Sequence, residues 1–503
     1  MRGFLASSIG VTCATALALP LAPAASAAPG PAAVGPGASV TARVSSAAQS
    51  AQAAPAAPAL PGSTQSLPLT PLGSDRAGGP AREEGLSRRD VRPFSLVGVV
   101  WDDPAADLRG RVQVRTRGTG TTVWSPWQDV ETHNHDHAAD PGTAEHDSGR
   151  VRGSTAPLWV GDSDGVEVRV RAGTRAYEDG ARAATRAPDA PPLPKGLRLE
   201  LVDPGTAPGE QPPPGDTAPD GIPHADTLPP LTARAAATSA VNADLAPLGA
   251  TAIPALDKAR TEAAQDVQTA QDVATAQDAQ TAQDAQTAQG AQAAEGAAQA
   301  RPYIGPRPRI VTRRGWGADE RLRERNFAYT RTVKAAFVHH SATGNNYRCS
   351  QAPSVLRSIY RYHVKSSGWR DFGYNFAVDK CGNIYEGRAG GVSKPVLGAH
   401  TLGFNTNSMG IAVLGTFSNS KPPKAAVTAV AKLTAWKLGL FGANPRGTTY
   451  LKSGGGNLYR KGTNVRLRVI SGHRDGFATE CPGRLLYKKL GKARSASARY
   501  QGR

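Results

Sequence analysis

Between residues 204 and 302 this chain offers almost nothing that a protein core could bury, and that gap dictates how the rest must be organised. The stretch opens Pro-rich and then turns repetitive, a six-residue unit recurring with Asp266, Asp272, Asp278 and Asp284. Six residues match neither the helical nor the heptad period, and the apolar content is Ala with an occasional Val. Such a unit has no stripe to pack and no solenoid core to stack. A Pro-rich, then Ala/Gln/Asp/Thr-repeat linker is therefore expected over 204–302, spanning as a coil roughly 50–60 Å. A 503-residue chain divided in this way must carry separate globular parts on either side.

Ahead of the linker, the N-terminus reads as an export signal over residues 1–27. Arg2 supplies positive charge, Phe4 to Leu21 are mostly apolar or small, and Ala25-Ser26-Ala27 forms a small-residue cleavage site. Ser7, Ser8, Thr12 and Pro20 interrupt the apolar stretch, so no membrane span is expected. Residues 28–91 lack periodicity and are read as a disordered leader. From Pro93 the pattern changes: Phe94 to Trp101, Val112 and Val114, Val166 to Val170 and Leu197 to Leu201 form short apolar or alternating runs. Runs of this kind between Gly, Asp and Pro turns predict an all-β sandwich over 92–203. Trp124 and Trp127 read as core or strand-edge aromatics. His133, His135 and His137 would share one face of a strand, but Asn134, Asp136 and Pro141 around them read as loop. With no second ligand cluster evident beside them, no metal site is expected there.

Cysteine usage agrees with export. Cys13 lies within the signal, leaving Cys349, Cys381 and Cys481; one disulfide plus one metal-bound thiolate is a simple account of an odd number. Charge is divided as sharply as composition. Residues 301–503 carry 36 Lys and Arg against 8 Asp and Glu, whereas the remainder carries 23 against 33. A basic domain ordinarily points to nucleic acid. Export redirects that reading to anionic cell-wall polymers, so nucleic acid is not expected as a partner.

From Ile310 onward strands and helices alternate, predicting a mixed α/β domain over 303–490 followed by a basic tail over 491–503. Ala335 to Val338 is a buried strand leading into His339-His340, and a helix starts near Ser350 and Pro353 and runs to about Val364. Tyr374 to Val378 and Ile384 to Glu386 form a hairpin, Met409 to Leu414 another strand, and Lys424 to Leu438 a helix. Val465 to Ile470 is read as the last strand, ending at Ser471-Gly472-His473. His339, His473 and Cys481 make a set that zinc accepts with a fourth position left for water, although residues so distributed also occur as separate structural groups.

Ile310 to Cys481 resembles the peptidoglycan recognition proteins and the related amidase-type phage lysozymes. Five ordered blocks carry the resemblance. They are Arg313 to Ala318, Phe337 to Thr343, Gly368 to Phe376 with Gly382 to Arg388, Gly398 to Thr401 with Asn405 and Ser408 to Ile411, and Gly472 to Asp475 with Cys481 to Gly483. The resemblance implies a mixed central sheet flanked by helices and a zinc ion held by His339, His473 and Cys481. Tyr374 and Thr479 match positions that stabilise the developing oxyanion. The implied reaction is hydrolysis of the amide between N-acetylmuramic acid and L-alanine, by a secreted monomer at the cell wall with peptidoglycan glycan and stem peptide as partner. Non-catalytic receptors of the same family typically lack a zinc ligand, and none is missing here.

The same blocks place His400, Trp369 and Arg388 along the substrate groove. With Cys481 given to the metal, Cys349 and Cys381 are expected to pair. The neighbouring His340 and His363 are read as packed histidines, Glu480 as an exposed loop carboxylate and Asp475 as a possible support for Arg474 or a ligand. Ala389-Gly390-Gly391 departs from the aromatic common in relatives, and Gly447 to Gly462 reads as an inserted loop.

Overall fold

The β-region folds around alternation. The computed structural model describes residues 62–72, 82–132, 135–173, 192–206, 228, 230–267 and 303–503. The export signal, Cys13, His133 and the repeats beyond 267 lie outside the described residues. Eight strands form the first sheet: β1 (Ser63–Pro68), β2 (Thr70–Pro71), β3 (Glu83–Trp101), β4 (Gly110–Gly118), β5 (Gln128–Val130), β6 (Gly153–Ser154), β7 (Leu158–Ala172) and β8 (Arg198–Asp203). The order is β1-β8-β3-β7-β4-β5, with β2 and β6 also on β3, and every pairing is antiparallel. Val97, Val99, Val112, Val114, Val166, Val168, Leu199 and Leu201 point into one core, each strand contributing alternate residues.

The opposite face of β3 and β8 is buried too. Leu96, Val100 and Val202, with Trp159 of β7, pack into a second core with Val355, Ile359 and Tyr362 of the C-terminal region. Burial on both faces explains the unbroken apolar run from Leu96 to Val100. Gly98 is required there, because a Cβ would collide with the Tyr362 ring; the Tyr362 hydroxyl donates to the Thr155 carbonyl at 3.0 Å. All described residues belong to one compact unit, Ala59–Arg503.

Two boundaries differ from expectation. The segment read as leader supplies β1, β2 and the first half of β3. These strands pair through their backbones while their side chains stay half exposed, so no apolar alternation marks them. Register shifts between Asp90 and Leu96 mark bulges that turn β3 from its exposed half into its buried one. The segment read as linker likewise contributes α1 (Ala233–Ala240), β9 (Ala252–Ile253) and α2 (258–267). Ala246 and Ile253 enter the apolar core, and polar contacts add to the docking: Asn242 donates to Glu386 at 2.9 Å and Thr238 to Glu320 at 2.9 Å.

The C-terminal region is the expected mixed sheet with helices on both faces. Its strands are β10 (Ile310–Val311), β11 (Ala335–His340), β12 (Phe376–Val378), β13 (Ile384–Glu386), β14 (Ser408–Val413) and, after a separate hairpin, β17 (Ile470–Gly472). The order is β17-β11-β14-β12-β13-β10-β9. β11 runs parallel to β14 and β17, and β12 antiparallel to β13. One face packs on α3 (Ala352–Arg361), which continues as a π-helical turn (Tyr362–Ser366). The other packs on α4 (Lys424–Gly439) and, beyond the short α5 (Arg484–Tyr487), on α6 (Leu490–Gln501). Met409, Ile411 and Val413 serve one core, Ala412 and Leu414 the other. A disulfide joins Cys349, ahead of α3, to Cys381 in the β12–β13 turn.

The basic tail is in fact α6. Its small residues Ala493 and Ser497, four apart, let it approach α4 closely, and Ser497 meets Thr434 at 3.1 Å. The strand read over Val465 to Ile470 is split. Val465 and Leu467 belong to β16 (Asn464–Arg468), which forms a hairpin with β15 (Thr448–Lys452) and packs on Phe337 and Phe404. Only Ile470 to Gly472 enter the main sheet.

Candidate metal centre

Parallel pairing brings two histidines together. Val338 of β11 lies opposite Gly472 of β17, so His339 and His473, each the next residue, emerge side by side with ring centroids 4.5 Å apart. After His473 the chain makes a 3₁₀ turn (His473–Asp475). The Arg474 amide then donates to the Cys481 carbonyl at 3.0 Å, closing a loop that returns Cys481 to its ligand partners. Its sulfur stands 3.7 Å from His339 Nδ1; two donors of one tetrahedral zinc, one nitrogen and one sulfur, lie about 3.6 Å apart.

A fourth residue joins them from the β-region. The loop between β5 and β6 makes a 3₁₀ turn (His135–His137) and inserts His137, whose ring lies 4.5 Å from that of His473 and 5.2 Å from that of His339. The ligand atoms of His137, His339, His473 and Cys481 all lie within 4.8 Å of one another, and all four residues are buried. The histidines of 133–137 were expected to form no metal site, and His137 nevertheless stands among the candidate ligands. His137 was missed because its partners come from another domain, more than 200 residues away, and nothing local to the loop announces them.

The surroundings fix which atom each ligand presents. His473 Nε2 donates to the Asp136 carbonyl at 3.1 Å, and His339 Nε2 lies 3.4 Å from Thr401 Oγ1. Nδ1 of each ring is then the nitrogen left for a metal, an arrangement in which the second nitrogen orients the ligand. Among the described residues, neither His473 Nδ1 nor His137 Nε2 has a hydrogen-bond partner. Buried polar atoms without partners are costly, and a cation between them removes that cost.

Electrostatics supports the same fit. Burial, reinforced by the neighbouring His473, holds His339 well below its ordinary pKa, and burial with His137 brings His473 to about 3. Both rings are therefore neutral, the form that ligates. Burial, with Asp136 and Glu131 nearby, pushes the Cys481 thiol well above its ordinary value. A buried thiol of this kind ionises when a cation stands beside it. The donor set of imidazoles and one sulfur suits zinc.

Tyr374 is also at the centre, its ring 5.2 Å from His339 and 5.8 Å from His137. Burial, with Cys481 and Asp136 adding to it, raises its hydroxyl well above the ordinary phenol value, so it remains a donor at neutral pH. His400 stands one layer back, 5.4 Å from the His339 ring, with Nδ1 3.0 Å from Thr401 Oγ1. Thr479, in the loop that carries Cys481, is half-buried and accepts from the Cys481 amide at 3.2 Å.

Trp369 is buried and stacks on His363, with centroids 4.4 Å apart. Arg388 is buried beneath the β5–β6 loop, its guanidinium held by Glu145 at 2.7 and 2.8 Å. His340 is packed as expected, 3.4 Å from Glu131, and His363 accepts from the Gly373 amide at 3.2 Å. Asp475 accepts from the Gly472 amide and the Tyr487 hydroxyl at 2.9 and 2.5 Å, holding the turn beneath His473. Glu480 is exposed. At the sandwich edge, Trp127 carries Arg169 at 4.1 Å from its ring and Arg115 at 4.8 Å.

Residues 329–484 match the family described as N-acetylmuramoyl-L-alanine amidase, and residues 54–193 match the Rv3811 N-terminal galactose-binding domain-like family. The chain is 30% identical over 183 residues to peptidoglycan-recognition protein SC2 of Drosophila simulans, covering 36% of this chain and 84% of that one. It is 34% identical over 167 residues to peptidoglycan-recognition protein 1 of Holotrichia diomphalia, covering 31% and 79%. A solved structure of peptidoglycan recognition protein-LE in complex with tracheal cytotoxin is 29% identical, with a TM-score of 0.29, over 36% of this chain and 92% of that one.

Proposed function

We propose that this chain, which belongs to the peptidoglycan recognition protein and N-acetylmuramoyl-L-alanine amidase family, is an exported zinc-dependent amidase. Its reaction is cleavage of the bond between N-acetylmuramic acid and L-alanine of peptidoglycan. The observation that carries the reading is the convergence of His339, His473 and Cys481, with the Tyr374 ring beside them, at the ends of adjacent strands. Its expected setting is outside the cell at the wall, in keeping with residues 1–27 and the basic charge of 301–503. Among the described residues no helix is long and apolar enough to cross a membrane.

Zinc held by His339, His473 and Cys481 supplies Lewis acidity that polarises an amide carbonyl and lowers the pKa of water towards about 7. The chain's own residues do the rest. Thr401 holds the His339 imidazole in the tautomer that presents Nδ1, and the Asp136 carbonyl does the same for His473 while its loop is docked. The Tyr374 hydroxyl, kept protonated by its burial, donates to the amide oxygen as negative charge develops on it. Thr479 holds the backbone of Cys481 so that the sulfur faces His339. His400 backs Thr401, and Arg388 and Trp369 are assigned to the substrate groove.

The test is mass spectrometry of the products released from purified peptidoglycan by the zinc-loaded full chain. Free stem peptides beginning with L-alanine are expected. Intact muropeptides, after incubation with a chain that holds zinc and binds peptidoglycan, would instead identify a receptor.

A further inference from the structure

The connection between β5 and β6, residues 131–152, is far longer than a turn between sheet strands requires, and loops of such length usually carry function. Its described part from residue 135 onward lies across the catalytic region. A series of polar contacts holds it: the Leu402 amide donates to the Asp136 carbonyl at 2.9 Å, the Gly403 amide and Asn405 to Asp140 at 2.7 Å each, Asn405 to the Ala138 carbonyl at 3.0 Å, and the Arg370 amide and Arg388 to Glu145 at 3.1 and 2.7 Å. At its tip His137 enters the metal cluster.

We propose that segment 135–152 keeps the centre latent, with His137 filling the fourth metal position and Glu145 occupying the Arg388 guanidinium until the segment withdraws. This rests on the zinc-amidase reading and adds a regulatory element to it. Catalytic zinc sites hold three protein ligands and keep a fourth position for water or substrate, whereas closed four-ligand sites are structural. Here the fourth position is filled by a side chain from another domain, whose buried Nε2 has no hydrogen-bond partner among the described residues.

The way the segment is attached makes it removable. The sandwich itself is fixed by an apolar face, Leu96, Val100 and Val202 against Tyr362 and α3, which costs much to expose. The loop is held by hydrogen bonds, which water replaces with little net loss, and by the buried Glu145–Arg388 pair, which opens only when another anion takes the Arg388 guanidinium. An anionic substrate group competing for Arg388 would displace Glu145 and loosen the segment that carries His137. A fixed dock and an exchangeable plug together make a switch that opens without separating the domains.

The test uses the full, zinc-loaded chain and counts metal neighbours by zinc X-ray absorption, alongside the rate of stem-peptide release from peptidoglycan. The parent is expected to show three imidazoles and one sulfur. His137→Ala should keep its zinc, lose one imidazole from the shell and hydrolyse roughly tenfold faster or more, because its population is no longer divided between plugged and open forms. Glu145→Gln should keep all three imidazoles in the resting shell and raise the rate by a smaller factor. An unchanged shell in His137→Ala overturns the fourth-ligand assignment, and equal rates for parent and both variants overturn latency. If the imidazole is lost yet neither parent nor His137→Ala cleaves peptidoglycan, the ligand assignment holds and the amidase reading falls.

Discussion

The backbone carbonyl of Asp136 accepts a hydrogen bond from His473 Nε2 at 3.1 Å across 337 residues of sequence. A loop of the β-region thereby decides which nitrogen of a C-terminal histidine is left for a metal. The two regions share a site as well as a boundary, and the expected consequences are measurable.

Loss of a shared ligand should weaken the metal more than loss of the plug. Removing an orienting neighbour of a ligand typically costs 10–100-fold in affinity, so Cys481→Ala and His473→Ala should each lower zinc affinity by more than roughly 100-fold and abolish hydrolysis. His137→Ala, which keeps the three-ligand set, should lose less. Competition with a chelator of known affinity, read by elemental analysis, checks the ranking. Equal affinities for parent and Cys481→Ala would remove the sulfur from the site.

Tyr374→Phe keeps the ring that packs beside His339 and removes only the hydroxyl. Loss of one oxyanion donor typically lowers turnover by about 10²–10³, and because the bond strengthens in the transition state the effect should fall on kcat. Zinc content and melting temperature should match the parent. Near-normal turnover in the zinc-loaded variant would reduce Tyr374 to a packing role.

The buried Glu145–Arg388 pair should make docking of the loop pH-dependent. Burial alone would raise the Glu145 pKa, but the Arg388 charge and hydrogen bond, with Arg370 beyond, bring it below its ordinary 4.5. Asp371 and Arg313 also act on Arg388. A depressed carboxylate stabilises the fold fully above its unfolded pKa and loses that contribution as pH falls through its folded value. Breaking such a pair costs about 3–5 kcal/mol when the partner stays charged and buried, and Glu145→Gln should cost the lower part of this because it retains the packing. Denaturant unfolding should show the gap between parent and variant widest at neutral pH and closing below about pH 4.5. A gap independent of pH would contradict the pairing.

Reduction of the Cys349–Cys381 disulfide releases a loop with a sequence separation of 32. In the chain-entropy model that constraint contributes about 3–4 kcal/mol, so a Cys349→Ser/Cys381→Ser chain should melt several degrees lower. Zinc occupancy should be retained, since Cys481 takes no part in the bond. A double variant that melts with the parent would show that the fold holds the β12–β13 turn without the crosslink.

His339, His473, Cys481 and Tyr374 were picked out by the family resemblance of the short blocks they sit in; residue type alone made the two histidines and the cysteine no more than a set that zinc accepts, and did not mark Tyr374. The strands of the β-region from Phe94 onward and the mixed sheet were legible because a buried face imposes a period on its own strand. Other features depend on contacts that leave no such trace. β1 and the start of β3 pair by backbone with half-exposed side chains, α1 and the turn after it are held by Thr238 and Asn242, and α6 meets α4 through Ala and Ser.

His137 is the sharpest case. Its role is set by the seating of Leu96, Val100 and Val202 on α3, which brings the β5–β6 loop over the ends of β11 and β17. The composition of each segment determines what that segment can bury or ligate by itself. Which segments meet is decided by the packing of two surfaces, and no period or spacing within either one encodes that encounter.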